Sequence, residues 1–145
     1  MARFLIVDAH SIIFAWPELR QLHAQRMILA RDALIQRLSA YHDFSDSRVV
    51  IVFDGQGSRA KDETLPGGVQ VIYSATGQTA DSVIERLVAA YASQHDITVA
   101  TGDHLEQQTA ITFGASAISP EHLRSLIEET EQDLQKAIKK HRRGR

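Results

Sequence analysis

The stretch "FLIVDAHSII", residues 4–13, decides how this chain folds. Four apolar residues run straight into Asp8, and more apolar residues follow. A continuous apolar run of this kind fits a strand covered on both faces. A carboxylate at its end is costly to bury unless something neutralises it or bonds to it.

Working outward, the same arrangement recurs. "RVVIVFD" (48–54) and "DITVATGD" (96–103) are apolar runs that also end in aspartate, at Asp54 and Asp103. "VQVIYSA" (69–75) reads as a further strand, and "ASAIS" (115–119) as a short last one. Helical patterns fill the spaces between them. One covers 16–43, where Pro17 suits a first turn; another covers 79–95, with Thr79 as N-cap. A short helix spans 104–114 and stops at Gly114, and a terminal helix spans 119–141 with Ser119 as cap and Pro120 first. "GQGSRAKDETLPGG" (55–68), rich in glycine and charge, reads as a loop. Strands alternating with helices predict an α/β fold: a single-domain, mainly parallel sheet with helices on both faces.

At 145 residues the chain fits one domain, taken as 1–145, with a basic helix end or tail at about 136–145. Apolar residues make up 43% and charged residues 23%, which matches soluble globular proteins. The absence of cysteine excludes disulfides and thiolate metal sites. No apolar run reaches the roughly 20 residues of a membrane helix, and the N-terminus lacks a signal-peptide layout, so a cytoplasmic location is expected. Net charge is −2, yet the last ten residues, "KAIKKHRRGR", hold six of the sixteen Lys and Arg and no acid. Lys139, Lys140, Arg142 and Arg143 in this tail are candidates for phosphate contact. A solvated helix end whose cations suit the helix dipole explains them equally well.

The acids carry the chemistry. In a parallel sheet the three strand-end aspartates gather at the carboxyl edge, where open α/β sheets bind ligands. Asp81, in the first turn of the helix after the third strand, joins them there, and Glu85 follows one turn later on the same helix face. Clustered carboxylates repel one another unless a cation or protons intervene. An all-oxygen site suits hard ions, magnesium (Mg²⁺) or manganese (Mn²⁺), and such an ion can activate water against a phosphodiester. A strand-end aspartate taken singly is as readily a helix cap or a turn former.

Other residues are less specific. His10 reaches the pocket only if the first strand continues past Asp8, and His104 directly follows Asp103. Arg59 and Lys61, in the loop beside the expected pocket, are candidate contacts for backbone phosphates, and a solvated loop explains them equally well. Phe14 and Trp16 either stack on a base or pack the loop between the first strand and the first helix. No Gly-x-Ser-x-Gly, Gly-x-Gly-x-x-Gly or Walker sequence is present.

"LIVDAHSII", "VIVFDG", "TADSVIE" and "VATGDHLEQ", in this order and spacing, resemble the YacP-like NYN domain family of PIN-like endoribonucleases. The resemblance covers nearly the whole chain. It implies a small parallel-sheet nuclease with a divalent-metal acidic pocket, RNA as substrate, and ribosome-associated messenger RNA as one form of it. Carried over by motif, Asp8, Asp54, Asp81 and Asp103 are the catalytic acids, and Asp8, Asp81 and Asp103 hold the metal. Thr101 is the small hydroxyl residue beside it. Relatives read Asp-Gly-Tyr-Asn where this chain reads Asp8-Ala9-His10-Ser11, so Ser11 stands in for the site-orienting amide.

The reading that follows is a metal-dependent endoribonuclease without a small-molecule cofactor. Ser11 motivates an alternative, an RNA- or ribosome-binding module whose nuclease site has decayed. A third reading, an aspartate-based phosphotransfer protein, lacks the Asp-x-Asp it needs, because residues 8–10 are Asp-Ala-His.

Overall fold

In the computed structural model, residues 2–55, 61–65 and 67–144 are described. Six strands form one sheet in the order β3-β4-β2-β1-β5-β6. They are β1 (Arg3–Asp8), β2 (Arg48–Phe53), β3 (Lys61–Thr64), β4 (Gln70–Tyr73), β5 (Asp96–Ala100) and β6 (Ser116–Ile118). All pair in parallel except β3, which runs antiparallel to β4 at the edge. The helices are α1 (Ala9–Ala15), α2 (Pro17–Gln25), α3 (Met27–Phe44), α4 (Ala80–Tyr91), α5 (His104–Thr112) and α6 (Pro120–Arg143).

Strand alternation divides the core. Leu5 and Val7 of β1, with Val49 and Ile51 of β2, face α1, α2, α3 and α6. Ile6, Val50, Val52 and Val99 face α4 and α5. Both sheet faces are thus covered, which is why the central strands read as unbroken apolar runs. Trp16 anchors the first layer: it is 1% exposed, and its Nε1–H donates to Pro120 O at 3.0 Å.

The α/β architecture is the one the sequence predicts, with two local corrections. The helix expected over 16–43 is two helices, broken at Arg26, whose backbone is extended (φ −155°, ψ 132°). A straight helix over 17–44 would run about 42 Å, against about 20 Å for a six-residue strand. Folding it in two lets Leu19, Ala30, Leu34 and Leu38 all reach the same core. Arginine is a good helix former, so nothing local announces the break. The loop expected over 55–68 contains β3, a strand with the polar sequence KDET. A polar edge strand carries no apolar alternation, and polarity is what protects such an edge.

The chain leaves β1 to build one flank of the sheet through β2 and β4, then returns to β5 on the other side of β1. The reversal falls between β1 and β5. Asp8 ends one of these strands and Thr101 follows the other. The switch point therefore lies directly beside Asp8, where ligands bind in open α/β sheets. Among the described residues no helix is long and apolar enough to cross a membrane.

Candidate metal centre

Asp8 closes β1 and caps α1: its Oδ1 accepts from Ser11 N–H at 3.5 Å. The turn fixes the carboxylate at the sheet edge, where it is 5% exposed. Asp81 enters from the first turn of α4. Glu106 enters from the first turn of α5 and is 8% exposed. One oxygen from each of Asp8, Asp81 and Glu106 can be chosen so that all lie within 4.8 Å of one another.

Thr101 knits the cluster together from beneath. Its Oγ1 lies 3.2 Å from Asp8 Oδ2 and 3.0 Å from Glu106 Oε2, and it accepts from Asp103 N–H at 3.2 Å. One hydroxyl proton can serve only one of the two carboxylates at a time. Glu106 Oε1 is buried with no hydrogen-bond partner among the described residues. A buried polar atom without a partner costs on the order of 1–3 kcal/mol, and more for a charged group. Burial above all, then the Asp8 charge, pushes the Glu106 carboxyl up to about 9. Burial also raises Asp8, and the Asp81 charge adds to the rise while hydrogen bonds from Glu106, Ser11 and Thr101 oppose it. Three acids that cannot all ionise together, one with an orphaned oxygen, fit a hard divalent cation.

The remaining acids take supporting places. Asp54 Oδ1 accepts from Ala80 N–H at 2.8 Å, at the start of the helix that carries Asp81. Asp103 caps α5: its Oδ1 accepts from Leu105 N–H at 2.9 Å and Glu106 N–H at 3.3 Å. Both hold the N-terminus of a helix that delivers a cluster carboxylate. Asp103 and Glu85 also border a cavity of about 110 Å³ between α4 and α5, which Asp81 and Glu106 share. Ser11 Oγ accepts from Gly102 N–H at 2.6 Å, bridging α1 to the β5 exit where an amide was expected to act.

The structure thus brings Asp8 and Asp81 together and adds Glu106, with Thr101 against Asp8 and Glu106. The strand-end Asp103, three residues earlier, drew the expectation in place of Glu106. A signal exists: Glu106 lies four residues before Ala110, on the buried face of α5. A carboxylate on an apolar helix face needs a partner.

Arg59 lies outside the described residues, and Lys61 lies on β3, opposite Tyr73 in register. The basic tail sits elsewhere. The start of α6 adjoins the site, since a Cβ on Gly102 would meet Ser11 Oγ at 3.1 Å and Pro120 Cγ at 3.4 Å. Lys139, Lys140, Arg142 and Arg143 lie on the last turns of this 24-residue helix, about 28–35 Å along it from Pro120. They lie at the far end of this helix from the acids. His10 is exposed on α1, because β1 ends at Asp8, and His104 is exposed at the start of α5. Trp16 belongs to the core, whereas Phe14 remains 39% exposed.

A family model described as the YacP-like NYN domain matches residues 5–145. A Bacillus subtilis (strain 168) protein described as uncharacterized protein YacP is 33% identical over 138 residues, covering 94% of this chain and 81% of that one. The crystal structure of Rae1 (YacP) from Bacillus subtilis superposes with a TM-score of 0.80 at 35% identity, over 94% of this chain and 80% of that chain. Its W164L mutant gives 0.81 at 34% identity, covering 94% and 81% respectively.

Proposed function

This chain belongs to the YacP-like NYN domain family, which is nuclease-like, and we propose that it is a divalent-metal-dependent endoribonuclease. The observation that carries this reading is the meeting of Asp8, Asp81 and Glu106 at the switch point, with Glu106 Oε1 left without a partner. A decayed site would have no reason to keep so costly a cluster.

Asp8, Asp81 and Glu106 would hold a magnesium or manganese ion. Such an ion, when bound, supplies charge neutralisation and a water of lowered pKa. Thr101 keeps the Asp8 and Glu106 carboxylates at fixed separation through its hydroxyl. Asp54 and Asp103 act as positioning residues, since each fixes the helix start that aims a cluster acid. Ser11 holds the Gly102 backbone against α1. Hydrolysis breaks the P–O3′ bond of the RNA, leaving a 5′-phosphate and a 3′-hydroxyl, with no covalent enzyme intermediate. We take 1–145 as one NYN domain acting in the cytoplasm, on free RNA or on ribosome-associated messenger RNA.

The test is end-labelled RNA, free and ribosome-bound, incubated with the protein in Mn²⁺ and in chelator. Internal cuts are expected in Mn²⁺ only, and Asp81→Asn abolishes them while the far-UV circular dichroism is unchanged. Equal cutting by wild type and Asp81→Asn would overturn the mechanism.

A further inference from the structure

Phe14 departs from the pattern of its helix. Ile12 and Ile13 are buried and Trp16, just beyond α1, is 1% exposed, yet Phe14 stays 39% exposed. It does not stand alone. The ring of His10 lies 4.6 Å from it, centroid to centroid, tilted by 45°. The ring of His23, on α2, lies 4.7 Å away on an edge-to-face contact of 61°. Three rings form a continuous row across the α1–α2 junction, and His10 at its near end is exposed. Arg20 Nη1–H donates to Phe14 O at 3.4 Å, which sets a guanidinium beside the row. Among the described residues Arg20 has no carboxylate partner.

The row begins on the helix that Asp8 caps. Asp8 caps α1, His10 follows two residues later, and Phe14 lies six residues on. At 1.5 Å per residue, Phe14 is about 9 Å along the helix from Asp8. That is roughly two to three nucleotides at a stacked rise of ~3.4 Å.

We propose that His10, Phe14 and His23 form a stacking platform for an unpaired base of the RNA, with Arg20 meeting a neighbouring phosphate. This deepens the nuclease reading and rests on it. Exposed aromatic faces pair with any base, since every base has a π-face, so the platform selects strandedness rather than sequence. A base paired within a duplex cannot offer its face, so single-stranded segments enter and helices are excluded. The guanidinium adds a phosphate contact that fixes the direction of the strand without reading its bases.

The test uses a short single-stranded RNA carrying 2-aminopurine, titrated with full-length protein in chelator, where no cutting occurs. Wild type binds and changes the probe's fluorescence. Phe14→Ala weakens binding about tenfold, the loss of one stacked base, while Phe14→Trp binds as wild type does. His10→Ala, at an exposed position, weakens binding several-fold and leaves the melting temperature unchanged. With Mn²⁺, Phe14→Ala raises KM and leaves kcat intact. The platform is overturned if wild type does not bind, if Phe14→Ala binds normally, or if Phe14→Trp fails as badly as Phe14→Ala. Binding that follows this pattern without any cutting in Mn²⁺ keeps the platform and removes the nuclease reading. Cutting with no effect of Phe14→Ala does the reverse.

Discussion

Replacing Glu106 by Gln tests the acidic cluster without any assumption about RNA. In the folded protein the Glu106 carboxyl is pushed up to about 9, against an ordinary value of 4.5. Below pH 4.5 both the folded and the unfolded chain hold the proton, and the group is neutral to stability. As pH rises from there, the unfolded chain releases its proton and the folded chain keeps it. Stability is therefore lost with rising pH, at up to about 1.4 kcal/mol per unit, until the folded carboxyl itself ionises near 9. At pH 7 the loss from this one group amounts to about 3 kcal/mol, a large share of a typical domain's stability. Asp8, also raised by burial, pulls in the same direction. Glutamine keeps the shape and a donor but has no proton to lose. The assay is urea unfolding in chelator at several pH values between 5 and 8. Wild type should weaken steadily across that range. Glu106→Gln should lie above it at pH 7 by up to about 3 kcal/mol and show a shallower slope. Added Mn²⁺ should stabilise wild type strongly and the variant little, because ligand binding to the folded state adds directly to stability. Parallel pH profiles for wild type and Glu106→Gln would refute the reasoning.

Asp54→Asn keeps an acceptor for Ala80 N–H and should retain cleavage, whereas Asp54→Ala should cost about 1 kcal/mol in unfolding and slow cleavage; equal loss in both would make the charge itself the essential feature. Gly55→Ala should destabilise by about 3 kcal/mol in thermal melts, because its Cβ would fall 1.8 Å from Ser74 O. Thr101→Val should leave Asp103 N–H without its acceptor, costing on the order of 1–3 kcal/mol, and should weaken Mn²⁺ binding measured by calorimetry. Neutralising Lys139, Lys140, Arg142 and Arg143 to Gln should flatten the salt dependence of binding to long RNA while leaving cleavage of a short oligonucleotide unchanged.

What the sequence disclosed depended on whether a property is local. The continuous runs ending at Asp8, Asp54 and Asp103 disclosed a two-sided parallel sheet, because covering both faces removes polar alternation from a strand. Asp8 and Asp81 were legible for the same reason: strand ends and first helical turns share one edge. The direction in which a carboxylate points is not local. Asp103 turns back onto the N–H groups of its own helix, and Asp54 reaches forward to Ala80, choices set by turn geometry that spacing does not encode. Glu106 was hidden behind the more conspicuous Asp103 three residues earlier. The break at Arg26 and the pairing of β3 were illegible because tertiary fit, not propensity, decides them.

The length of α6 has a consequence for affinity. On the endoribonuclease reading proposed above, the acidic cluster beside the start of α6 and the cations on its last turns would make the chain a two-handed binder. An RNA that spans both hands gains from effective concentration: once one contact forms, the second is intramolecular, and avidity exceeds what either provides. An oligonucleotide too short to bridge them forfeits that gain however well it fits the acids. Kinetic constants measured on minimal substrates would then understate how tightly this protein holds a long transcript.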